Sequence, residues 1–315
     1  MKPKIVFLDE YSVDDTDLSP IRDLGDYAGY ECVADEDVVK YAADADVVIT
    51  NKVKLKADVI PQLPRLKLIC VAATGMNNID LEAAQAAGVE VRNAVDYSSH
   101  SVAEQTFMGV LALYKQTVFL DEYVKSGGYT DADRLFNFDR PTRELYGKNW
   151  GIVGLGNIGR MVAGIARAFG CEVAYYSTTG NNYSGDFRRM ESLDELLRWA
   201  DVLSVHAPLS RNTYHLIDYP QLAMMKPTAV VANVARGSLI NEEGLARALN
   251  EGLIAGAALD VFGAEPMAAD NPLKGVKDQY RLVMTPHLAW ATREALVRLV
   301  GKIADNIRDF LAHRD

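Results

Sequence analysis

A run from residue 149 to 170 sets the terms for the rest of this 315-residue chain. It opens with the short apolar stretch Trp150, Ile152 and Val153, turns through closely spaced glycines, and continues as an apolar segment that stops at Gly170. Gly154, Gly156 and Gly159 have the G-x-G-x-x-G spacing, and a side chain would obstruct each of them for a different reason. The first allows a positive φ, the second lets backbone approach a pyrophosphate, and the third lets a helix pack tightly on a strand. The N–H groups of the helix start, at the positive end of its dipole, then face the phosphates. Three glycines in six residues are weak evidence alone. The context strengthens them: Ile158, Met161, Ile165 and Phe169 recur at helical spacing, and a second β-rich run covers 171–177. This is the strand-turn-helix-strand setting that a dinucleotide site needs.

The length suggests about two domains at roughly 150 residues each, and 49% hydrophobic residues are enough to give both a core. A net charge of -10 argues against a nucleic-acid or anionic-membrane surface, because either needs clustered Lys and Arg. A small anionic ligand must then be met by a local cation, which draws attention to well-placed arginines. Cys32, Cys70 and Cys171 are odd in number and lack a C-x-x-C pair, so neither a disulfide framework nor a metal site is expected. They read as thiols of a reducing cytoplasm. Residues 1–10 lack the apolar core of a signal peptide, and no run approaches the roughly 20 apolar residues of a membrane span.

Strand and helix alternate from the start. Residues 5–8, 47–50, 66–71 and 89–91 are short runs rich in branched side chains, the pattern of buried parallel strands. Helices are expected over 35–43, 57–62 and 81–87, the last stopped by Gly88. In such a domain the turns at Thr50, Asn51 and Lys52 and at residues 73–78 are the natural binding loops. A long helix, apolar on more than one face, is expected over 100–124, followed by an irregular excursion over 126–145. The β-α rhythm then returns, with a capping box at Ser192 and Glu195 and strands over 202–205, 230–234, 255–260 and 283–284. The final helix, about 291–313, carries Leu296, Leu299, Ile303, Ile307 and Phe310 on one stripe and is expected to cross back to the first domain. The fold class is α/β with two doubly wound parallel-sheet domains, 1–99 with 288–315 and 100–287.

Three strand ends in the second half carry chemistry. Arg236 follows Asn233, Val234 and Ala235; Glu265 follows the strand ending at Asp260; and His287 follows the last strand. An open parallel sheet brings such ends to the crevice beside the nucleotide. An arginine fork can hold a carboxylate, and a histidine can exchange a proton with a carbonyl or hydroxyl oxygen near neutral pH. A neighbouring carboxylate orients the imidazole and stabilises its charged form. Together they describe hydride exchange at a 2-oxo or 2-hydroxy acid, with the cofactor supplying the redox chemistry.

Gly-Leu-Gly-Asn-Ile-Gly at 154–159, Asn-Val-Ala-Arg-Gly at 233–237, Ala-Leu-Asp-Val-Phe at 258–262, Ala-Glu-Pro at 264–266 and Thr-Pro-His at 285–287 occur in this order. Through them the chain resembles the D-2-hydroxyacid dehydrogenases over essentially its whole length. The resemblance implies a Rossmann nucleotide-binding domain beside a flavodoxin-like substrate domain. It implies that Arg236 binds the substrate carboxylate and carbonyl, that His287 is the acid/base and that Glu265 is its partner. Asn51, Thr74, Gly75, Met76 and Trp290 become substrate-binding candidates. The implied cofactor contacts are Asn157 and Ile158 under the pyrophosphate, and His206, Ala207 and Pro208 with Thr213 by the adenosine half. Val234, Ala235, Asp260 and Thr106 are implied on the nicotinamide side. Trp290 resembles the hydroxypyruvate and glyoxylate reductase branch, and a homodimer is implied through the 114–145 region.

One departure concerns the cofactor. Users of NAD commonly carry an acid at the end of the second strand, about 20 residues past the turn, for the ribose 2′-OH. Here that place holds Ser177 and Thr178, with no acid before Asp186 and no arginine until Arg188. The absent cation favours NAD and leaves NADP open. Two other functions are compatible with the same fold: an NAD(H)-sensing regulator of corepressor type, which would not require the Arg, Glu and His set, and a formate or phosphite dehydrogenase of the same family.

Overall fold

A computed structural model describes residues 2–181 and 183–313. The chain divides into two compact units, Met1–Ser98 with Ala291–Asp315, and Ser99–Trp290. The first has five strands: β1 (Lys4–Phe7), β2 (Asp26–Gly29), β3 (Val47–Thr50), β4 (Leu68–Val71) and β5 (Glu90–Asn93). They pair in parallel in the order β2-β1-β3-β4-β5. Strands β3 and β4 are buried along their whole length, as branched runs covered on both faces should be. β2 escaped the sequence reading because Asp-Tyr-Ala-Gly has no apolar run, and an edge strand exposed at both ends needs none.

The helices of this unit are shorter than expected. The 35–43 segment begins as a 3-10 turn and becomes α-helical only over Val38–Ala42. Residues 57–62 form turns ending in a 3-10 turn at Ile60–Gln62, because Pro61 and Pro64 lack N–H donors and restrict the residues before them. The Leu81–Ala86 helix is capped by the Asp80 side chain, which accepts the N–H of Ala83 at 2.9 Å. The last helix, Arg293–Ala312, packs on the Ser19–Arg22 helix and on β4, burying Leu296, Leu299, Ile303 and Ile307. Its N-cap is Thr292, and Phe310 is only half-buried.

The second unit has seven strands: β6 (Asn149–Val153), β7 (Glu172–Tyr176), β8 (Arg188–Arg189), β9 (Val202–Val205), β10 (Val230–Asn233), β11 (Gly256–Leu259) and β12 (Leu282–Met284). The order is β12-β11-β10-β9-β6-β7-β8, all parallel. The chain winds outward from β6 through β7 to β8 and then from β9 to β12 on the other side. The switch point, where ligands of such sheets bind, is therefore between β6 and β9.

The helix expected over 100–124 is two helices, Ser99–Tyr114 and Thr117–Lys125, broken where Gln116 takes φ 53. The first packs on β10, β11 and β12 and on the helix Asn157–Ala168. On that helix the residues at helical spacing border the closest contact, and Ile158, Met161 and Ile165 pack against the core cluster from its edge. Ile158, Met161 and Ile165 are only partly buried and Phe169 is exposed, whereas Gly159, Val162, Ala163 and Ala166 face the interior. Small side chains let the helix lie close to β6, and the larger ones flank the contact; Phe169 stacks on Phe107 with ring centroids 5.4 Å apart. The capping box at 192–195 is half formed. Ser192 Oγ accepts the Glu195 N–H at 3.1 Å, but the Glu195 carboxylate accepts from Glu191 N at 3.2 Å instead of from Ser192. Among the described residues no helix is long and apolar enough to cross a membrane.

Candidate active site

The glycine turn leaves β6 at the switch point. Gly154 has φ 92, and a Cβ there would stand 2.8 Å from the backbone N of Ala207. A Cβ on Gly159 would collide with the carbonyl oxygen of Gly154. The fold itself therefore requires these two glycines, one for close approach of the turn to the β9 end and one for helix packing. Gly156 differs: it caps the Asn157–Ala168 helix without a side-chain hydrogen bond, and a Cβ would meet nothing within 4 Å. Open space in front of a helix N-terminus, with Asn157 and Ile158 in its first turn, fits a phosphate-bearing ligand.

His206 follows β9, its N–H donated to Val153 O at 2.8 Å. Burial pushes its pKa down to about 3, so the ring is neutral, and neither ring nitrogen has a partner among the described residues. Ala207 is buried against Gly154, and the turn after Pro208 is closed by Thr213. The Thr213 hydroxyl donates to Pro208 O and accepts the Ser210 N–H, both at 2.7 Å.

At the end of β7, Ser177 is buried and Thr178 half-buried, and the turn closes at Gly180 with φ 74. Arg188 lies on β8 with its guanidinium 3.2 Å from Glu195. A cation overlooked in the sequence reading, Arg160, stands one residue after Gly159 and donates to Tyr183 O at 2.8 Å, reaching the loop that follows β7. Its signal was its place in the first turn of the phosphate-facing helix.

Arg236, Glu265 and His287 sit on loops that touch one another. Asn233, 1% exposed at the end of β10, donates from Nδ2 to Arg236 O at 2.8 Å and accepts the Ala235 N–H at 3.1 Å, closing a turn around Val234. The half-buried Arg236 guanidinium donates to Ala235 O at 2.7 Å. A Cβ on the next residue, Gly237, would run into the Phe262 carbonyl, so this turn lies directly on the loop that carries Glu265. That loop is tied down by Glu242, which accepts from Gly263 N and Asn271 Nδ2, both at 2.9 Å. Glu265 Oε1 accepts the Phe262 N–H at 3.0 Å, and Oε2 is 2.7 Å from His287 Nδ1. An ionised carboxylate only accepts, so the imidazole proton is on Nδ1.

His287 has φ 56, an unusual conformation for a residue with a side chain, and its surroundings hold it there. Its N–H donates to Asp260 O at 2.7 Å, and its carbonyl accepts from Trp290 Nε1 at 2.9 Å. The Asp260 carboxylate, 1% exposed, is taken up by the same loop: it accepts from Thr285 Oγ1 at 2.5 Å, Leu288 N at 3.1 Å and Ala289 N at 2.9 Å. Burial raises its pKa, and these donors work against that rise. Thr106, Val234 and Asp260 line one small cavity, and the Thr106 hydroxyl donates to Val102 O.

The remaining candidates lie in the five-stranded unit. Asn51 is 3% exposed, and neither atom of its side-chain amide has a hydrogen-bond partner among the described residues. Thr74, Gly75 and Met76 form the loop after β4, where Asn93 Nδ2 donates to Thr74 O at 2.6 Å and Thr74 Oγ1 donates to Ala94 O at 3.1 Å. No group of three or more His, Cys, Asp or Glu suited to a metal ion occurs among the described residues.

Residues 107–289 match the family model described as D-isomer specific 2-hydroxyacid dehydrogenase, NAD binding domain. The chain belongs to the D-isomer specific 2-hydroxyacid dehydrogenase family. Within it, the chain is 35% identical over 316 residues to a glycerate dehydrogenase of Methylorubrum extorquens, covering 99% of this chain and 97% of that one. It is 35% identical over 314 residues to a hydroxypyruvate reductase of Blautia hydrogenotrophica, covering 98% and 97%. Among solved structures, an acyclic imino acid reductase in complex with NADPH and D-arginine superposes with a TM-score of 0.86 at 26% identity, covering 99% and 98%. As a D-2-hydroxyacid dehydrogenase the protein is an NAD(P)-dependent oxidoreductase of CH–OH donors, and the open front of Gly156 suits that cofactor.

Proposed function

We propose that this dehydrogenase reduces a small 2-oxo acid, hydroxypyruvate or glyoxylate, to the D-2-hydroxy acid and runs in both directions. The observation that carries the reading is the Glu265–His287 contact of 2.7 Å, on a loop packed against the turn of Arg236. The names of the full-length relatives, a glycerate dehydrogenase and a hydroxypyruvate reductase, support the substrate class. When bound, a nicotinamide dinucleotide supplies or takes up the hydride. Arg236 holds the substrate carboxylate and polarises its carbonyl, a task suited to a planar fork of donors. His287 gives a proton to the forming alkoxide from Nε2, because Nδ1 is committed to Glu265. Glu265 fixes the ring and stabilises the imidazolium that must exist before the proton is given.

NAD is the cofactor favoured here, and NADP stays open. The hydroxyls of Ser177 and Thr178 after β7 suit a ribose 2′-OH, whereas the missing carboxylate there and Arg160, which reaches the same loop, are the features that keep NADP open. Homodimer formation through the 114–145 region is supported by its exposed apolar side chains: Leu135, Phe136 and Phe138, the last 85% exposed. A cytoplasmic location agrees with three free cysteines. A steady-state screen of 2-oxo acids with NADH and NADPH in parallel tests the function. Turnover of hydroxypyruvate or glyoxylate, faster with NADH, is expected. Failure of every 2-oxo acid with both cofactors overturns the reading.

A further inference from the structure

The strand order β2-β1-β3-β4-β5 of the first unit reverses direction between β1 and β3, so its own switch point lies where the ends of those two strands meet. Two residues stand there. Asp9 follows β1 and is 0% exposed; Asn51 follows β3 and is 3% exposed. The Asp9 carboxylate accepts from three successive backbone N–H groups: Asn51 at 2.9 Å, Lys52 at 2.6 Å and Val53 at 3.3 Å. The Thr50 hydroxyl stands 3.5 Å from the same carboxylate. Residues 51–53 lie outside the sheet, so no strand ladder pairs their N–H groups. Asp9 supplies the acceptor that an irregular buried turn otherwise lacks. Desolvation of a carboxylate is costly, and burial does raise the Asp9 pKa against the pull of these donors. An apolar residue would fill the space without that cost, but it would leave three N–H groups unsatisfied and the turn unset.

The turn in turn organises a second loop. Val53 O accepts from Thr50 Oγ1 at 3.2 Å and from Asn78 Nδ2 at 3.0 Å, and Leu55 N donates to Asn78 O at 3.1 Å. Ile79 N then closes on Met76 O at 3.0 Å. The hydrogen bonds thus run from Asp9 to Val53, Asn78 and the loop of Thr74, Gly75 and Met76. Asn51 meanwhile is held with its buried side-chain amide unpartnered among the described residues. Such an amide is satisfied by a ligand with both acceptor and donor groups, and a 2-oxo or 2-hydroxy acid has acceptors for its N–H and, in the hydroxy form, a donor for its carbonyl.

We propose that Asp9 is a positioning residue for substrate: it sets the Asn51 turn directly and the 74–78 loop through Val53 and Asn78, two loops that leave the strand ends of this unit. This rests on the functional reading above. Asp9 touches neither substrate nor cofactor, and its effect belongs in substrate affinity, not in the proton-transfer step.

The experiment uses the full chain and the better 2-oxo acid of the screen. Asp9→Asn keeps one acceptor oxygen but turns an NH2 group toward backbone donors. It is expected to raise KM for the 2-oxo acid by roughly tenfold or more while kcat changes by less than about threefold. NADH affinity, titrated by fluorescence without substrate, is expected to stay within about twofold of wild type. A KM equal to that of wild type, or a parallel loss of NADH affinity, overturns the proposal. If Asp9→Asn does not fold, Asn78→Ala decides. It removes only the second link and is expected to raise KM several-fold with NADH affinity intact, and an unchanged KM there overturns the proposal equally. Wild-type protein inert toward all 2-oxo acids overturns the functional reading and this inference with it. An active wild type with unaffected variants overturns this inference alone.

Discussion

The Glu265 carboxylate ties the backbone of its own loop to the imidazole, Oε1 accepting the N–H of Phe262 at 3.0 Å and Oε2 standing 2.7 Å from Nδ1 of His287. The first contact holds the acid still so that the second can define the tautomer and tilt of the imidazole. Glu265→Gln keeps the shape and removes the charge. It should lower kcat for 2-oxo acid reduction by roughly 10- to 100-fold with NADH affinity nearly unchanged, since a neutral amide holds the imidazole less firmly than a carboxylate does. A kcat equal to that of wild type would show that Glu265 does not position His287.

His287→Ala should reduce turnover by roughly 10² to 10⁴, the usual worth of a positioned acid/base, while leaving NADH binding nearly unchanged. Steady-state rates with a fluorescence titration of cofactor check both halves. Turnover near the wild-type rate would remove His287 from the mechanism.

Arg236→Ala should chiefly abolish the use of carboxylate substrates, and Arg236→Lys should recover only a small part, because an ammonium does not reproduce the planar fork. Calorimetry should find NADH affinity retained in both variants. Loss of cofactor binding with an unchanged residual rate would contradict the assigned role.

His206 makes stability depend on acid. Its folded pKa of about 3 lies below the ordinary histidine value, so the unfolded chain binds a proton that the folded chain refuses. The sign follows: stability is full above pH of roughly 6.5 and declines toward pH 3, by about 1.4 kcal/mol per pH unit from this group. Trp150, Trp199 and Trp290 all belong to the seven-stranded unit, so tryptophan fluorescence in urea reads it selectively. Between pH 7 and pH 5 the wild type should lose about 2 kcal/mol more than His206→Gln. Equal losses would count against a buried neutral ring.

Much of this molecule is written in local pattern. The buried strands show as branched runs such as Val47–Thr50 and Leu68–Val71, because burial on both faces selects apolar residues at every position. The turn at Gly154 is legible because a left-handed φ and a close approach to Ala207 admit only glycine. Arg236, Glu265 and His287 could be singled out as strand-end residues. The sequence also determined that no acid follows β7 before Asp186.

Other features were decided only by the assembled fold. The edge strand Asp26–Gly29 has no apolar signature, and Gln116 breaks a helix that the hydrophobic pattern runs straight through. Which face of the Asn157–Ala168 helix meets the sheet depended on how closely small residues let it approach, not on where the largest apolar residues fall. The braces within each unit, Asn233 on the Arg236 turn, Glu242 on the Glu265 loop and Asp260 on the His287 loop in one, and Asp9 on the Asn51 turn in the other, are polar residues whose partners are irregular backbone. Periodicity cannot reveal them. A buried carboxylate or amide acquires its meaning from the N–H and carbonyl groups that the fold brings to it, and for Asp9 those groups lie more than 40 residues away.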